Sequence, residues 1–73
     1  MYEELLEYYE ALKLCEDCKE IITKLRKYLE LIEKDRRVAE KVRIINTRDD
    51  INVIRETLFQ LIFYLWGKEE VDD

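Results

Sequence analysis

The sequence predicts an all-α fold: a helical hairpin or three-helix arrangement with a long heptad-patterned first segment, paired with a second copy in a homodimeric helical bundle. Three observations support this. No proline occurs in the 73 residues and the only glycine is Gly67, so little interrupts helix formation. Apolar residues recur at alternating spacings of three and four in the first half. Chains this short bury small cores and commonly gain stability from a second subunit.

The first helical segment is expected over residues 2–34. Its heptad seam is apolar at every position and has Leu5 and Leu12 at its edge; the seam consists of Tyr8, Ala11, Cys15, Cys18, Ile22, Leu25, Leu29 and Ile32. After Ile32 the register fails, because the next seam position is Arg36. This slip predicts a bend or a tight break near residues 34–37, with helix on both sides.

A second helix is expected over residues 37–46, where a new apolar stripe begins at Val38 and continues at Val42 and Ile45. A short strand over residues 41–46 that leads into the next helix is the alternative. The expected alternation of polar and apolar residues is missing from it, so the helix is favoured.

The last helix is expected over residues 48–66. Thr47 and Asp50 have the spacing of a capping box, and the acidic residues after Thr47 suit the positive end of a helix dipole. Gly67 is the residue type that commonly ends a helix, and residues 67–73 then form a frayed acidic tail. The whole chain is read as a single helical domain.

Cys15 and Cys18 form a CxxC motif within the predicted first helix. Residues three apart share one helix face, so both sulfurs are expected among the core side chains, where free cysteine packs as a small hydrophobe. A disulfide is an alternative, with the link between subunits favoured over one inside a regular helix. Zinc bound by four thiolates across a dimer axis is another. Thioredoxin-like chemistry is disfavoured, because no strand precedes the motif.

Charge is distributed unevenly along the chain. The net charge is −5, yet residues 21–48 carry nine basic against four acidic groups, while both ends are acidic. A phosphate-binding patch is one reading, and its candidate residues are Arg36, Arg37, Lys41, Arg43 and Arg48. Charge complementarity between packed helices is the other, and the overall acidity disfavours nucleic acid.

The last helix has an apolar arc wider than one core face requires. Its core stripe contains Leu58, Leu61, Ile62 and Leu65, and three aromatic residues extend the arc beyond it. The candidate interface consists of these aromatic residues, Phe59, Phe63 and Trp66, together with Ile62 of the stripe. If continuous, residues 2–46 form roughly 65 Å of helix against roughly 30 Å in the last helix. One short helix cannot cover so long a seam unless the first segment folds back. A homodimer is therefore favoured over an intrachain core or a different partner protein.

The function predicted from these features is that of a small non-enzymatic adaptor or assembly protein, which acts through protein–protein contacts as a homodimer. Neither histidine nor serine occurs, and no glycine-rich loop could cradle a phosphate, so neither catalysis nor a cofactor is expected. A small nucleic-acid-binding regulator that uses residues 24–48 is the alternative. The Glu-, Lys- and Arg-rich composition is typical of thermophile proteins. With no signal peptide or membrane span visible, a cytoplasmic location is expected.

Overall fold

The computed structural model of the protein describes residues 2–33 and 35–71. It contains four α-helices in these residues: α1 (Tyr2–Leu14), α2 (Lys19–Ile32), α3 (Arg36–Thr47) and α4 (Ile51–Val71). The all-α prediction is confirmed. The expectation of three helices is wrong, because the predicted first segment is two helices joined at Cys15 and Cys18. The alternative strand over residues 41–46 is also wrong, since this stretch lies inside α3.

The helices form an antiparallel four-helix bundle, in which each helix packs against its neighbour in sequence and α1 packs against α4. The bundle measures 40 × 21 × 18 Å. Folding back at the cysteines halves the length of the first segment, so no second chain is needed to cover its seam. None of the helices in the described part of the chain combines the length and apolar character needed to cross a bilayer.

The core lies along the bundle axis and receives apolar side chains from every helix. Its buried members are Leu5, Leu12, Leu25, Leu29, Val38, Val42, Ile45, Ile54, Leu58, Leu61, Ile62 and Leu65. In α1 the buried positions are the two leucines expected at the edge of the seam, while Tyr8 is only half-buried. Relative to the predicted seam, α1 is therefore rotated about its axis so that Leu5 and Leu12 face the core.

The helix ends differ from the predicted ones. Asp50, not Thr47, precedes the first turn of α4, where its Oδ1 accepts a hydrogen bond from the Asn52 N–H at 2.9 Å. Thr47 ends α3 instead. Gly67 does not end α4, which continues to Val71, and its φ is not positive. The predicted frayed tail is therefore helical as far as residue 71, and residues 72 and 73 lie outside the described residues.

The break between α2 and α3 falls where the apolar register slips, although Lys34 itself lies outside the described residues. Asp35 begins α3 as its N-cap, with Oδ1 accepting a hydrogen bond from the Arg37 N–H at 2.9 Å. The other carboxylate oxygen accepts from the Tyr64 hydroxyl at 2.8 Å and from Lys68 Nζ at 2.9 Å. One carboxylate thus joins the start of α3 to α4.

Candidate functional site

Three large aromatic side chains lie on a side of α4 that the core does not use. Phe59, Phe63 and Trp66 keep 51%, 62% and 43% of their surface exposed. Spacings of four and three residues align them along one side of the helix. Their rings form a continuous series, since the Phe59 and Phe63 centroids are 6.4 Å apart and those of Phe63 and Trp66 are 5.9 Å apart.

Helix α1 completes this surface. Leu6, which is 38% exposed, lines a shallow groove of about 260 Å³ together with the three aromatic residues and Ile62. The Tyr9 ring extends the series, with its centroid 5.8 Å from that of Phe59. We call Leu6, Phe59, Phe63 and Trp66 the aromatic face. It is a continuous apolar strip along the junction of α1 and α4.

Three of the four predicted interface residues therefore lie together on the surface. The fourth, Ile62, is only 7% exposed and forms the floor of the groove. Leu6 is a member that the sequence reasoning missed. The sequence indicated its exposure only through its position: Leu6 lies next to Leu5 and outside the heptad seam, so its side chain cannot point into the same core.

The rim of the aromatic face is mainly acidic. Glu3 and Glu10 are exposed on α1, three and four residues from Leu6, and Glu56 is exposed three residues before Phe59. Cations near this rim include Lys13, whose Nζ lies 5.1 Å from the centroid of the Tyr9 ring, and Arg55, four residues before Phe59. The face thus has an apolar centre and a polar edge, as protein interfaces commonly do.

Cys15 and Cys18 form a disulfide within the chain, with their Cα atoms 5.4 Å apart. The expectation that they pack as free cysteines on a continuous helix is wrong, because they are bonded to each other and flank the turn between α1 and α2. Among the disulfide alternatives, the inter-subunit link was preferred, and the bridge is intrachain instead. Both are half-buried and packed against the edge of the core. A disulfide across so short a loop stabilises the fold by only about 2 kcal/mol. Zinc binding would require the reduced thiols.

The five candidate phosphate-binding residues do not form one patch. Arg36 and Arg43 line a groove that also contains the carboxylates of Glu33 and Glu40. The other two helical members point towards α4: the Arg37 guanidinium lies 5.9 Å from the Tyr64 ring centroid, and Lys41 Nζ donates to Gln60 Oε1 at 2.7 Å. Arg48 is exposed in the connection after α3. Separation and nearby carboxylates both weaken the positive potential that phosphate binding requires.

Two further arginines, which the sequence reasoning did not single out, hold helix ends. Arg55 of α4 donates from Nε to the Leu12 carbonyl at 3.0 Å, and its Nη2 donates to the same oxygen. Arg26 of α2 donates from Nη2 to the carbonyls of Ile45 and Arg48, both at 3.1 Å. Each guanidinium satisfies carbonyls that the end of a helix leaves without intrahelical partners. Part of the positive charge is thus used structurally.

The shifted pKa values belong to contacts away from the aromatic face. Hydrogen bonds from Lys68, from the Arg37 N–H and from Tyr64 lower the pKa of Asp35 to about 2. The hydrogen bond to Asp35 raises the pKa of Tyr64, and burial together with the charge of Glu4 raises that of Tyr28. All three groups therefore keep their ordinary protonation states near neutral pH, which does not suit proton transfer.

Comparison of the chain with protein-family models, with curated proteins and with solved structures finds no match. Within residues 2–33 and 35–71, no group of three or more histidine, cysteine, aspartate or glutamate side chains is placed to hold a metal ion. The aromatic face is a continuous apolar strip of the described surface that the folding of one chain does not explain.

Proposed function

We propose that this chain is a non-enzymatic assembly module that forms a two-fold homodimer through its aromatic face. The observation that carries the proposal is the exposure of three adjacent aromatic side chains on a bundle whose core is already filled. About half of the surface of Phe59, Phe63 and Trp66 faces solvent and is not buried in that core. Exposed apolar strips with polar rims mark sites of association, and aromatic residues dominate the binding energy of such sites.

Gly67 supports a second copy of this chain as the occupant. A glycine inside a helix costs about 0.5–1 kcal/mol relative to alanine. Nothing among the described residues accounts for it, because a Cβ at Gly67 would meet none of their atoms within 4 Å and the backbone there has no positive φ. Close approach of another molecule is a common reason for such a glycine.

A two-fold pairing of α4 helices in one register accounts for both the exposed aromatic residues and Gly67. If two α4 helices cross antiparallel with the symmetry axis beside Phe63, residues equally far from Phe63 on opposite sides lie across from each other. Phe59 then faces Gly67 of the partner subunit, since both are four residues from Phe63. The phenyl ring fills the space that the missing side chain leaves. The same pairing occurs twice, as an isologous interface requires.

The protonation states support a role without catalysis. The hydroxyl of Tyr64 and the carboxylate of Asp35 are hydrogen-bonded to each other in the contact between α3 and α4. The pKa of Asp35 is lowered and that of Tyr64 is raised, so both pKa values lie further from neutral pH than usual. Neither group is therefore suited to act as a general acid or base near neutral pH. The dimer would display two copies of the bundle surface that lies outside the interface, and such a repeated surface suits an adaptor.

The proposal is tested with Phe63→Glu, a change at a side chain that is 62% exposed in the single chain. Leu31→Glu is the matched control, because Leu31 is 72% exposed on α2 and lies outside the aromatic face. Sedimentation velocity across a hundredfold dilution series gives the assembly state, and circular dichroism gives the helix content. We expect the wild-type chain and the control to be dimeric at micromolar concentration and Phe63→Glu to be monomeric and fully helical.

A wild-type chain that is monomeric throughout the series contradicts the homodimer. If such a monomer binds a different protein and Phe63→Glu abolishes that binding, the occupant is a heterologous partner. A dimer that survives Phe63→Glu places the interface elsewhere on the bundle.

A further inference from the structure

The disulfide occupies a surface turn at one end of the bundle. Cys15 follows α1, with its N–H donating to the Ala11 carbonyl at 3.0 Å, and Cys18 is the N-cap of α2, with its carbonyl accepting from the Ile22 N–H at 2.9 Å. The two residues between them are exposed, and the cysteines themselves are half-buried. The two cysteines are therefore partly exposed, at the edge of the core and not inside it.

The turn keeps other interactions that do not depend on this bond. Arg55 holds the Leu12 carbonyl at the end of α1. Asp17 Oδ1 accepts a hydrogen bond from the Lys19 N–H at 3.2 Å at the start of α2. The bond itself closes a ring of only four residues, so it restricts the unfolded chain little. A partly exposed disulfide in a turn that other interactions also hold is of the kind that takes part in exchange.

The two sulfur atoms are not equivalent. Cys18 precedes the first turn of α2, whose N–H groups lack intrahelical acceptors and favour a negative charge. A carbonyl oxygen, which disfavours a negative charge, lies near each sulfur, but it is closer to Cys15 Sγ (Leu12, 3.4 Å) than to Cys18 Sγ (Cys15, 3.8 Å). A disulfide breaks most readily towards the sulfur whose thiolate is better stabilised. An incoming thiolate therefore attacks Cys15, and Cys18 leaves.

The charge of the turn selects the reductant. Glu16 and Asp17 lie inside the ring formed by the bond and are both exposed. Their carboxylates repel an anionic thiol and attract a cationic one, whereas an uncharged thiol is affected only through its thiolate. Lys19 follows the ring and offsets one of these charges in part. Thiols with a basic group are thus favoured.

We propose that Cys15 and Cys18 are a thiol–disulfide exchange site that reacts preferentially with uncharged or basic thiols. The thiolate of the donor forms a bond to Cys15 Sγ while the Cys15–Cys18 bond breaks and its electron pair moves to Cys18. A second donor thiolate then attacks the mixed disulfide, forming the oxidised donor and releasing Cys15. In total, two donor thiols are oxidised, and the site gains two electrons and two protons. This site is separate from the aromatic face.

The test measures how fast the oxidised full-length chain is reduced under native conditions by three small thiols of different charge. These are cysteamine, 2-mercaptoethanol and mercaptoacetate, with alkylation and mass spectrometry to count free thiols. Because the nucleophilicity of a thiolate rises with the pKa of its thiol, each rate at equal thiolate concentration is divided by the rate of the same thiol with an uncharged small disulfide. We expect this relative rate to be highest for cysteamine and lowest for mercaptoacetate, with about a threefold or larger difference between these two. Fragmentation of the peptide over residues 14–19 should locate the mixed disulfide on Cys15, and circular dichroism should show unchanged helix content after reduction.

A double variant checks the origin of the preference. Glu16→Gln with Asp17→Asn should bring the relative reduction rates of the three thiols closer together. Glu30→Gln with Glu40→Gln removes the same charge from exposed sites elsewhere and should leave the preference unchanged. The proposal is overturned if native protein resists a hundredfold excess of thiol, if the adduct forms on Cys18, if thiol charge has no effect, or if reduction unfolds the helices.

Discussion

The change of Gly67 to alanine separates the stability of the chain from that of the proposed dimer, because the two should respond with opposite signs. Within one chain, the added Cβ meets nothing within 4 Å, so it only improves helix propensity. The monomer should gain about 0.5–1 kcal/mol in its free energy of unfolding. In the two-fold register, the same methyl group occupies the space that Phe59 of the partner subunit fills.

Overpacking of this kind costs at least about 1 kcal/mol at each contact, and a two-fold interface contains the contact twice. The dissociation constant should therefore rise by about 30-fold for a total of about 2 kcal/mol. Urea unfolding at dilute concentration measures the first effect, and sedimentation equilibrium measures the second. Thr23→Ala is the control, because it raises helix propensity at an exposed site on α2 and should leave dimerisation unchanged. A Gly67→Ala chain that dimerises as tightly as wild type, or more tightly, refutes this register.

Three further outcomes are expected. Arg55→Met keeps the apolar stem but leaves the Leu12 carbonyl without its charged donor, so urea unfolding should show a loss of about 1–3 kcal/mol, with a smaller loss for Arg55→Lys. The ionised state of Asp35, whose folded pKa is about 2, contributes stability that is complete above its ordinary value of 3.8 and is lost as the pH falls towards 2. The difference in urea midpoint between wild type and Asp35→Asn should thus stay constant from pH 7 to 5 and shrink below pH 4; a constant difference down to pH 2 would contradict the shift. Finally, the wild-type chain should not bind duplex DNA at roughly 50 mM salt. A triple variant with glutamine in place of Arg36, Arg37 and Lys41 should still dimerise. Salt-dependent DNA binding by the wild type that this variant loses would favour the nucleic-acid-binding regulator instead.

Local periodicity was sufficient to predict the inward and outward sides of α4. Leu58 and Leu61 are fully buried, as the apolar stripe predicts, and the aromatic residues beyond that stripe are exposed. The stripe of α3 was equally informative, since Val38 and Val42 are buried. These positions are predictable because every neighbouring helix also contributes apolar side chains. The direction of burial then depends little on which helix is the neighbour.

The turn at Cys15 and Cys18 could not be predicted in the same way. The cysteines pack against the edge of the core on both sides of the turn, so the apolar spacing passes through it without a visible slip. Glu16 and Asp17 are exposed in the turn, as they would also be on the outer face of a helix. Neither proline nor glycine marks the site. A pattern of burial cannot distinguish a straight helix from a turn that preserves the pattern.

This turn changes the argument for a second subunit. A continuous first segment would have required a partner to cover its length, and failure to dimerise would then have meant failure to fold. With the chain folded back, the core is closed by α1 to α4 within one molecule. The case for a partner rests on the exposed rings of Phe59, Phe63 and Trp66 and on Gly67. Because these side chains face solvent in the single chain, substitutions there can remove the dimer and leave the bundle intact. Assembly and folding are therefore separable, and each can be measured without the other.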